Sequence, residues 1–288
     1  MKNIIVSVGI LLILSITYYS CSRNSQDKTK VAAKLTTHKE AIDSLRIDNI
    51  AEKPLRLTNL TKKQVKDSLL ALDLSNLFAS KNPEEGFSNR FDGLYGKDNY
   101  RIEMFFAEAT KDAENATIYH IKGKSRFKKN ITPFEGTITI DSLVAFKDPN
   151  IDTTNYDQES IRHKMLYSAV GNFVLKEDST AKGSGIFSGI MTMDFLVRND
   201  NLTELWYFSP QTKSKASGFR FIGEWQSYLT KVSKPVIWAK DLFSFVNEII
   251  KDFSIGERDV EINAKYRHLG WDNYWEMDEW WHEAKSAQ

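Results

Sequence analysis

The chain has 288 residues, of which 41% are hydrophobic, and its 39 Lys and Arg residues nearly balance 38 Asp and Glu residues. This length is sufficient for a folded core without disulfides, and the net charge is only +1. We expect no nucleic-acid partner, since no basic stripe is available to neutralise phosphates. Cys21 is the single cysteine, which excludes a disulfide framework and a cysteine-based metal site.

The first 21 residues have the organisation of an export signal. Lys2 provides a positive start, Ile4 to Ile16 form a short apolar stretch, and Ser20 precedes Cys21. A spanning helix needs about 20 apolar residues, which is more than this stretch offers. The arrangement resembles a bacterial lipoprotein signal, which implies that residues 1–20 are removed and Cys21 is acylated. A cleaved secretory signal and an uncleaved anchor are the alternatives.

Ser22 follows the cysteine, where inner-membrane lipoproteins of enteric bacteria typically carry aspartate. The lipoprotein resemblance therefore implies anchoring in the outer membrane, on either its periplasmic or its surface face. Residues 21–58 are polar beyond the cysteine, and they predict a lipidated, flexible tether.

A helical lead-in is expected over residues 59–90. Thr61 and Gln64 have the spacing of a capping box. Apolar residues then recur at near-helical spacing, which predicts an amphipathic helix over 61–79. These residues are Val65, Leu69, Leu72 and Leu74.

Residues 91–240 predict a β domain. Eight apolar segments are separated by turn-forming residues, and several are rich in β-branched and aromatic side chains. The segments are Tyr100–Ala109, Thr117–Phe127, Phe134–Phe146, Met165–Lys176, Ile186–Arg198, Leu202–Phe208, Phe219–Leu229 and Pro235–Ala239. We expect a mainly β fold, an antiparallel up-and-down meander of about eight strands closing into a barrel-like domain. A sandwich is the alternative, since either arrangement hides the sheet edges.

One pattern, an aromatic residue two positions before a glycine, occurs three times in this region. It is found at Phe134–Gly136, Phe187–Gly189 and Phe221–Gly223. Glycine in a strand is typical of sharp coiling or close approach of another backbone. With Gly223-Glu224-Trp225, the meander resembles the lipocalin and avidin superfamily of barrels, which implies an internal cavity for a small apolar ligand. Five aromatic residues are expected to line that cavity: Phe134, Phe187, Trp206, Phe221 and Trp225.

Residues 241–288 predict helices packed on the β domain or extending it. An apolar stripe that includes Leu242 and Val246 predicts a helix over about 239–253. Four of the seven tryptophans lie in the last 18 residues. The aromatic cluster either packs on the domain or forms a surface for a protein partner. The residues of that surface would be Tyr266, Trp271, Tyr274, Trp275 and Trp281.

The sequence contains no complete motif for catalysis or for metal binding. Glu279 and His282 have the E-x-x-H spacing of di-iron bundles, but the sequence has no second such motif on a credible bundle. Gly185–Gly189 reads G-x-x-S-G and lacks the strand–turn–helix context of a nucleophile elbow. We therefore expect no catalytic residue, no metal and no cofactor.

The first hypothesis for the function is a non-enzymatic envelope protein that interacts with a partner through its β domain and aromatic C-terminus. The second is a carrier of a small apolar ligand, and the third is a hydrolase.

Overall fold

A computed structural model describes residues 53–82, 89–147, 165–198, 201–256, 260–276 and 278–282, all in the unit Lys53–Gln288. The expected signal, Cys21 and the expected tether up to residue 52 lie outside the described residues. The strands described are β1 (Arg56–Asn59), β2 (Arg90–Tyr95), β3 (Tyr100–Lys111), β4 (Ile118–Phe127), β5 (Asn130–Lys147), β6 (Met165–Glu177), β7 (Gly185–Val197), β8 (Thr203–Leu205), β9 (Phe219–Ser227), β10 (Ser233–Ala239), β11 (Ser254–Ile255) and β12 (Glu261–Ile262). The helices are α1 (Lys62–Ala71), α2 (Ser75–Phe78) and α3 (Val246–Ile249), with 3₁₀ helices at Ala264–Leu269 and Tyr274–Glu276.

Strands β1 to β10 form one antiparallel sheet that closes on itself. From β2 to β7 each strand pairs with the next in the chain, β7 pairs with β9, and β9 pairs with β10. Strand β10 then returns to β2, with Val236 opposite Tyr95 and Ala239 opposite Asp92. The result is a ring of eight hydrogen-bonded strands in up-and-down order. The mainly β class expected from the sequence is therefore confirmed.

The ring is not a true barrel, because some of its strands continue past it as an open sheet. The end of β5 pairs with β1, and the end of β7 pairs with β8. The first three residues of β1, residues 56–58, lie in the segment expected to be a tether. The folded unit therefore begins before residue 59.

Seven of the eight predicted segments coincide with ring strands. The exception is Leu202–Phe208, of which only Thr203–Leu205 is a strand, and this strand lies outside the ring. The remaining ring strand is β2, which no predicted segment covers. Arg90, Phe91 and Asp92 do alternate, but Gly93 has no inward side chain and the outward Leu94 is apolar, so hydrophobic alternation does not reveal the strand.

Inward-facing aromatic side chains fill the ring and form the main core. Phe221 has five aromatic rings with centroids within 5.7 Å of its own, those of Phe91, Phe106, Phe173, Phe219 and Trp238. Gly189 and Gly223 are opposite each other in β7 and β9, and a Cβ on Gly223 would lie 2.8 Å from the Cα of Gly189. At this pair, glycine permits the close backbone approach that the aromatic-x-glycine pattern indicates.

The N-terminal lead-in has the predicted cap but a shorter helix. The Gln64 backbone N–H donates to Thr61 Oγ1 at 3.3 Å, and the Thr61 N–H donates to Gln64 Oε1 at 2.9 Å. The helix expected over 61–79 is divided, because the chain is extended at Leu72 before α2 begins. Helix α2 adds Phe78 to the core of the ring.

After β10 the chain forms a C-terminal lobe (residues 241–256, 260–276 and 278–282) on the outer face of the ring. The helix expected over 239–253 is wrong in extent, since only Val246–Ile249 is α-helical. The Asp241 carboxylate accepts from the Phe243 N–H at 3.0 Å, which favours a turn where the helix was expected. The apolar residues of this stripe instead pack with Leu94 of β2 and Ala239 of β10, over the seam where the ring closes.

Candidate functional site

Four of the five residues expected to line a cavity lie together inside the ring. Phe134, Phe187, Phe221 and Trp225 are all buried in the main core. Phe187 packs edge-on against Trp238 with ring centroids 5.7 Å apart. An apolar ligand in the same space would have to displace aromatic rings that already contact one another.

Trp206 lies elsewhere, on the outer face of the open sheet. Its Nε1–H donates to Ser209 Oγ at 3.0 Å. The same loop is fixed by the buried Asp194, which accepts from Ser214 Oγ at 2.5 Å. Trp206 therefore does not join the other four predicted residues. It packs with Leu55, Phe146, Leu166 and Leu196.

A buried carboxylate, Glu177, lies inside one end of the ring. Its Oε1 accepts from Ser125 Oγ at 2.5 Å, and its Oε2 accepts from the Gly185 N–H at 2.8 Å and from Trp225 Nε1–H at 2.9 Å. Burial raises the pKa of Glu177, because the ionised form loses its hydration, while the three hydrogen bonds act in the opposite direction. Glu177 thus connects β6 with β4, β7 and β9, and it gives Trp225 a structural role.

A buried amine, Lys240, lies at the opposite end of the ring. The residue keeps some solvent exposure, but its Nζ is buried and has no hydrogen-bond partner among the residues that the structure describes. Nζ lies 4.1 Å from the centroid of the Phe91 ring. Burial lowers the pKa of Lys240 to about 7. The sequence pattern points to neither Glu177 nor Lys240, because strands distant in the chain bury each of them.

The aromatic residues expected to form a partner surface differ in burial. Trp271 and Trp281 are buried, whereas Tyr266 and Tyr274 are partly buried. Trp281 stacks on Phe105 of β3, with centroids 4.7 Å apart and an interplanar angle of 4°. Trp271 and Trp281 therefore follow the packing alternative and hold the lobe on the sheet.

A network of charged side chains lies between the sheet and the lobe. Arg101 Nη2 donates to Asp92 Oδ1 and to Glu103 Oε1, each at 2.9 Å. Arg126 joins the sheet to the lobe, because its Nε donates to Glu103 Oε2 at 2.5 Å and its Nη2 to Asp278 Oδ1 at 2.8 Å. Burial alone would lower the pKa of Arg126, but hydrogen bonds to Asp278 and Glu103 raise it above the usual value.

Both guanidinium groups also lie against aromatic rings of the lobe. Arg101 lies 5.0 Å from the centroid of Tyr274 and 5.6 Å from that of Trp271. Arg126 lies 5.0 Å from the centroid of Trp280. These cation–π contacts are sheltered from water, where each contributes about 2 kcal/mol. The arginines of β3 and β4 are thus the partners of the C-terminal aromatics.

Trp275 is the exception among the tryptophans. It is 59% exposed, whereas each of the other six is at most 8% exposed. Its ring is nearly parallel to that of Phe243, with centroids 6.1 Å apart, and edge-on to Tyr274 at 4.7 Å. Phe243 and Trp275 are called the aromatic platform below.

The E-x-x-H motif is an exposed pair, with Glu279 Oε2 3.5 Å from His282 Nε2. Within the described ranges, no group of three His, Cys, Asp or Glu side chains could hold a metal ion. In the same part of the chain, no helix is both long and apolar enough to cross a membrane.

No family model, curated protein or solved structure matches the chain. The functional interpretation therefore rests on the geometry of the residues described above.

Proposed function

We propose that the protein is a non-enzymatic lipoprotein of the bacterial envelope, anchored to the outer membrane through Cys21, and that its aromatic platform binds a protein partner. One observation carries this proposal: Trp275 is 59% exposed while the other six tryptophans are buried. Tryptophan is enriched among the residues that dominate binding energy at protein interfaces. Covering its ring removes a large apolar area from water.

The platform is also pre-organised. Tyr274 lies against Trp275 on one side and against the Arg101 guanidinium on the other, and Arg101 is held by two carboxylates. A rigid aromatic side chain loses little conformational entropy on binding, so more of the contact energy appears as affinity. This rigidity favours a preformed contact surface.

The ring interior supports a surface function over the carrier hypothesis. The predicted cavity residues Phe134, Phe187, Phe221 and Trp225 contact other core side chains. Rings of eight strands are just wide enough for side chains or for one small ligand, and here side chains occupy the space. The aromatic platform lies outside the ring and is available to a partner.

Site-specific photo-cross-linking in intact cells tests the partner surface. A photoreactive phenylalanine analogue replaces Trp275, and the matched control replaces Leu229, which is 90% exposed at a hairpin tip. We expect one discrete adduct from position 275 that is missing from position 229. Trp275→Ala should then abolish co-purification of the cross-linked partner with the full-length protein. Identical adducts from both positions, or none from position 275, would contradict the proposal.

The anchor is tested separately by mass spectrometry of the N-terminal peptide. We expect a peptide that begins at Cys21 and carries a diacylglyceryl group. Cys21→Ser should remove both the acylation and the membrane association. A mature N-terminus at another residue, without acyl chains, would exclude the lipoprotein.

A further inference from the structure

A second surface feature lies where the turn between β4 and β5 faces the 3₁₀ helix Ala264–Leu269. Here the ring and the C-terminal lobe enclose a pocket with a volume of about 440 Å³. This size falls within the range of small-molecule sites. We call it the basic pocket; Arg101, Glu103 and Arg126 form its floor, and Lys128, Lys129 and Arg267 lie on its rim.

In the floor of the basic pocket, the arginine side chains are held in place by hydrogen bonds to carboxylates. Glu103 accepts from Arg101 with one carboxylate oxygen and from Arg126 with the other. The remaining donors of these arginines reach Asp92, Asn273 and Asp278. The charges of these arginines are therefore balanced by carboxylates, and their donors are directed into the protein.

The rim differs from the floor in its basic side chains. Within the described part of the chain, Lys128, Lys129, Arg267 and His268 form no ion pair with a carboxylate. Lys128 Nζ is held 4.4 Å from the centroid of Tyr100, at the edge of the pocket. Among the described residues that line the pocket, the rim carries three arginine or lysine side chains against one carboxylate, that of Asp272. Such a concave surface of one sign attracts an anion and concentrates it locally.

We propose that the basic pocket binds the phosphate group of a small ligand. A phosphate presents several acceptor oxygens and up to two negative charges, so it can accept from Arg267 and from a rim lysine at once. A single carboxylate would leave more of the rim charge unbalanced. The phosphate could belong to a soluble phosphorylated compound or to a phospholipid headgroup. This site is independent of the aromatic platform, since neither Phe243 nor Trp275 lines it.

Protection of lysines from acetylation tests the proposal on the full-length protein in lipid nanodiscs. Three conditions are compared: phosphatidylcholine alone, phosphatidylcholine with pyrophosphate added, and phosphatidylcholine mixed with phosphatidylglycerol. Acetylation of each lysine is followed by peptide mass spectrometry. The matched control is Lys231, an exposed lysine in another hairpin turn, with φ of 57° compared with 58° at Lys128.

We expect Lys128 and Lys129 to be protected while Lys231 reacts at an unchanged rate. Protection by pyrophosphate identifies a soluble phosphorylated ligand, and protection only by phosphatidylglycerol identifies a headgroup. Arg267→Gln should raise the concentration of the protecting probe required for half-protection about tenfold, the effect of one lost charge-assisted hydrogen bond. Lys231→Gln should leave this concentration unchanged.

The proposal is overturned if Lys128 and Lys129 react equally fast in all three conditions. It is also overturned if Lys231 is protected to the same degree, or if Arg267→Gln leaves protection unaltered. Arg267 is exposed, so its replacement leaves the core intact. These outcomes do not depend on cross-linking at Trp275, and failure of one proposal is therefore distinguishable from failure of the other.

Discussion

Replacing Lys240 by methionine should stabilise the protein, although the substitution removes a charge from the chain. The ammonium of Lys240 is buried inside the end of the ring, and no described residue forms a hydrogen bond with it. Burial lowers its pKa from the usual 10.5 to about 7. Each pKa unit corresponds to about 1.4 kcal/mol, so the charged form costs about 5 kcal/mol in the folded state. The contact with Phe91 returns about 2 kcal/mol, which leaves a net gain of about 3 kcal/mol for Lys240→Met near neutral pH.

The pH dependence gives the prediction a second, sharper readout. The folded pKa lies below the unfolded value, so the unfolded chain binds more protons between pH 7 and 10.5. Stability of the wild-type protein should therefore rise with pH across this window, by at most about 1.4 kcal/mol per pH unit. In Lys240→Met this rise should disappear. The raised pKa values of Tyr119 and Tyr207, about 12 each, keep these tyrosines neutral in the lower part of the window.

Urea unfolding of the full-length protein, repeated from about pH 6.5 to about pH 9.5, measures both effects. A gain of about 3 kcal/mol corresponds to a rise in Tm of about 6–12 °C for a unit of this size. The matched control is Lys234→Met, an exposed lysine on β10, the strand that ends one residue before Lys240; it should change stability by less than about 0.5 kcal/mol. A destabilised Lys240→Met variant, or one that keeps the wild-type pH slope, would refute the reasoning.

Three further substitutions follow from buried contacts, each measured by urea unfolding. Glu177→Ala should cost about 3 kcal/mol, because it leaves the N–H groups of Gly185 and Trp225 without their acceptor, whereas Glu177→Gln should be nearly neutral at pH 7; equal losses in both would contradict this account. Arg126→Met should cost about 3 kcal/mol, because it removes the donor to one carboxylate oxygen of the buried Glu103, and restored stability in the double variant Arg126→Met, Glu103→Met would confirm that this carboxylate is the cause. Gly223→Ala should cost more than about 3 kcal/mol, since its Cβ would collide with the β7 backbone; Gly183→Ala, in an open turn, is the comparison, and a smaller loss from Gly223→Ala than from Gly183→Ala would show that the ring adjusts.

The ring was predictable because most of its strands carry their own pattern. Strands such as β6 and β9 alternate between buried and exposed residues, and the turns between them have turn-forming composition. Strand β2 carries only a short part of such a pattern, because Gly93 has no side chain to face inward and the apolar Leu94 faces outward, where it packs on the lobe. A local sequence pattern carries no information about a packing partner that lies more than a hundred residues away in the chain.

The candidate site was predictable only in part, for the same reason. The sequence identified the aromatic cluster, but the burial of Trp271 and the exposure of Trp275 depend on where Arg101 and Phe243 lie. Four of the five predicted cavity residues, Phe134, Phe187, Phe221 and Trp225, do face inward, because alternate residues of a strand point to the same side of the sheet. Trp206 follows Leu205 of β8, a strand outside the ring, and its burial on the outer face depends on a loop contact.

Closure of the ring has a consequence for the order in which the chain folds. The pairing of β2 with β10 joins residues about 140 positions apart, so the final edges remain open until most of the domain has been synthesised. Until then both edges can pair with strands of another chain. The C-terminal lobe arrives last and covers this seam, packing on Leu94 and Ala239. The lobe therefore stabilises the closed ring after the ring has formed, and loss of the lobe should accelerate unfolding more than it slows folding.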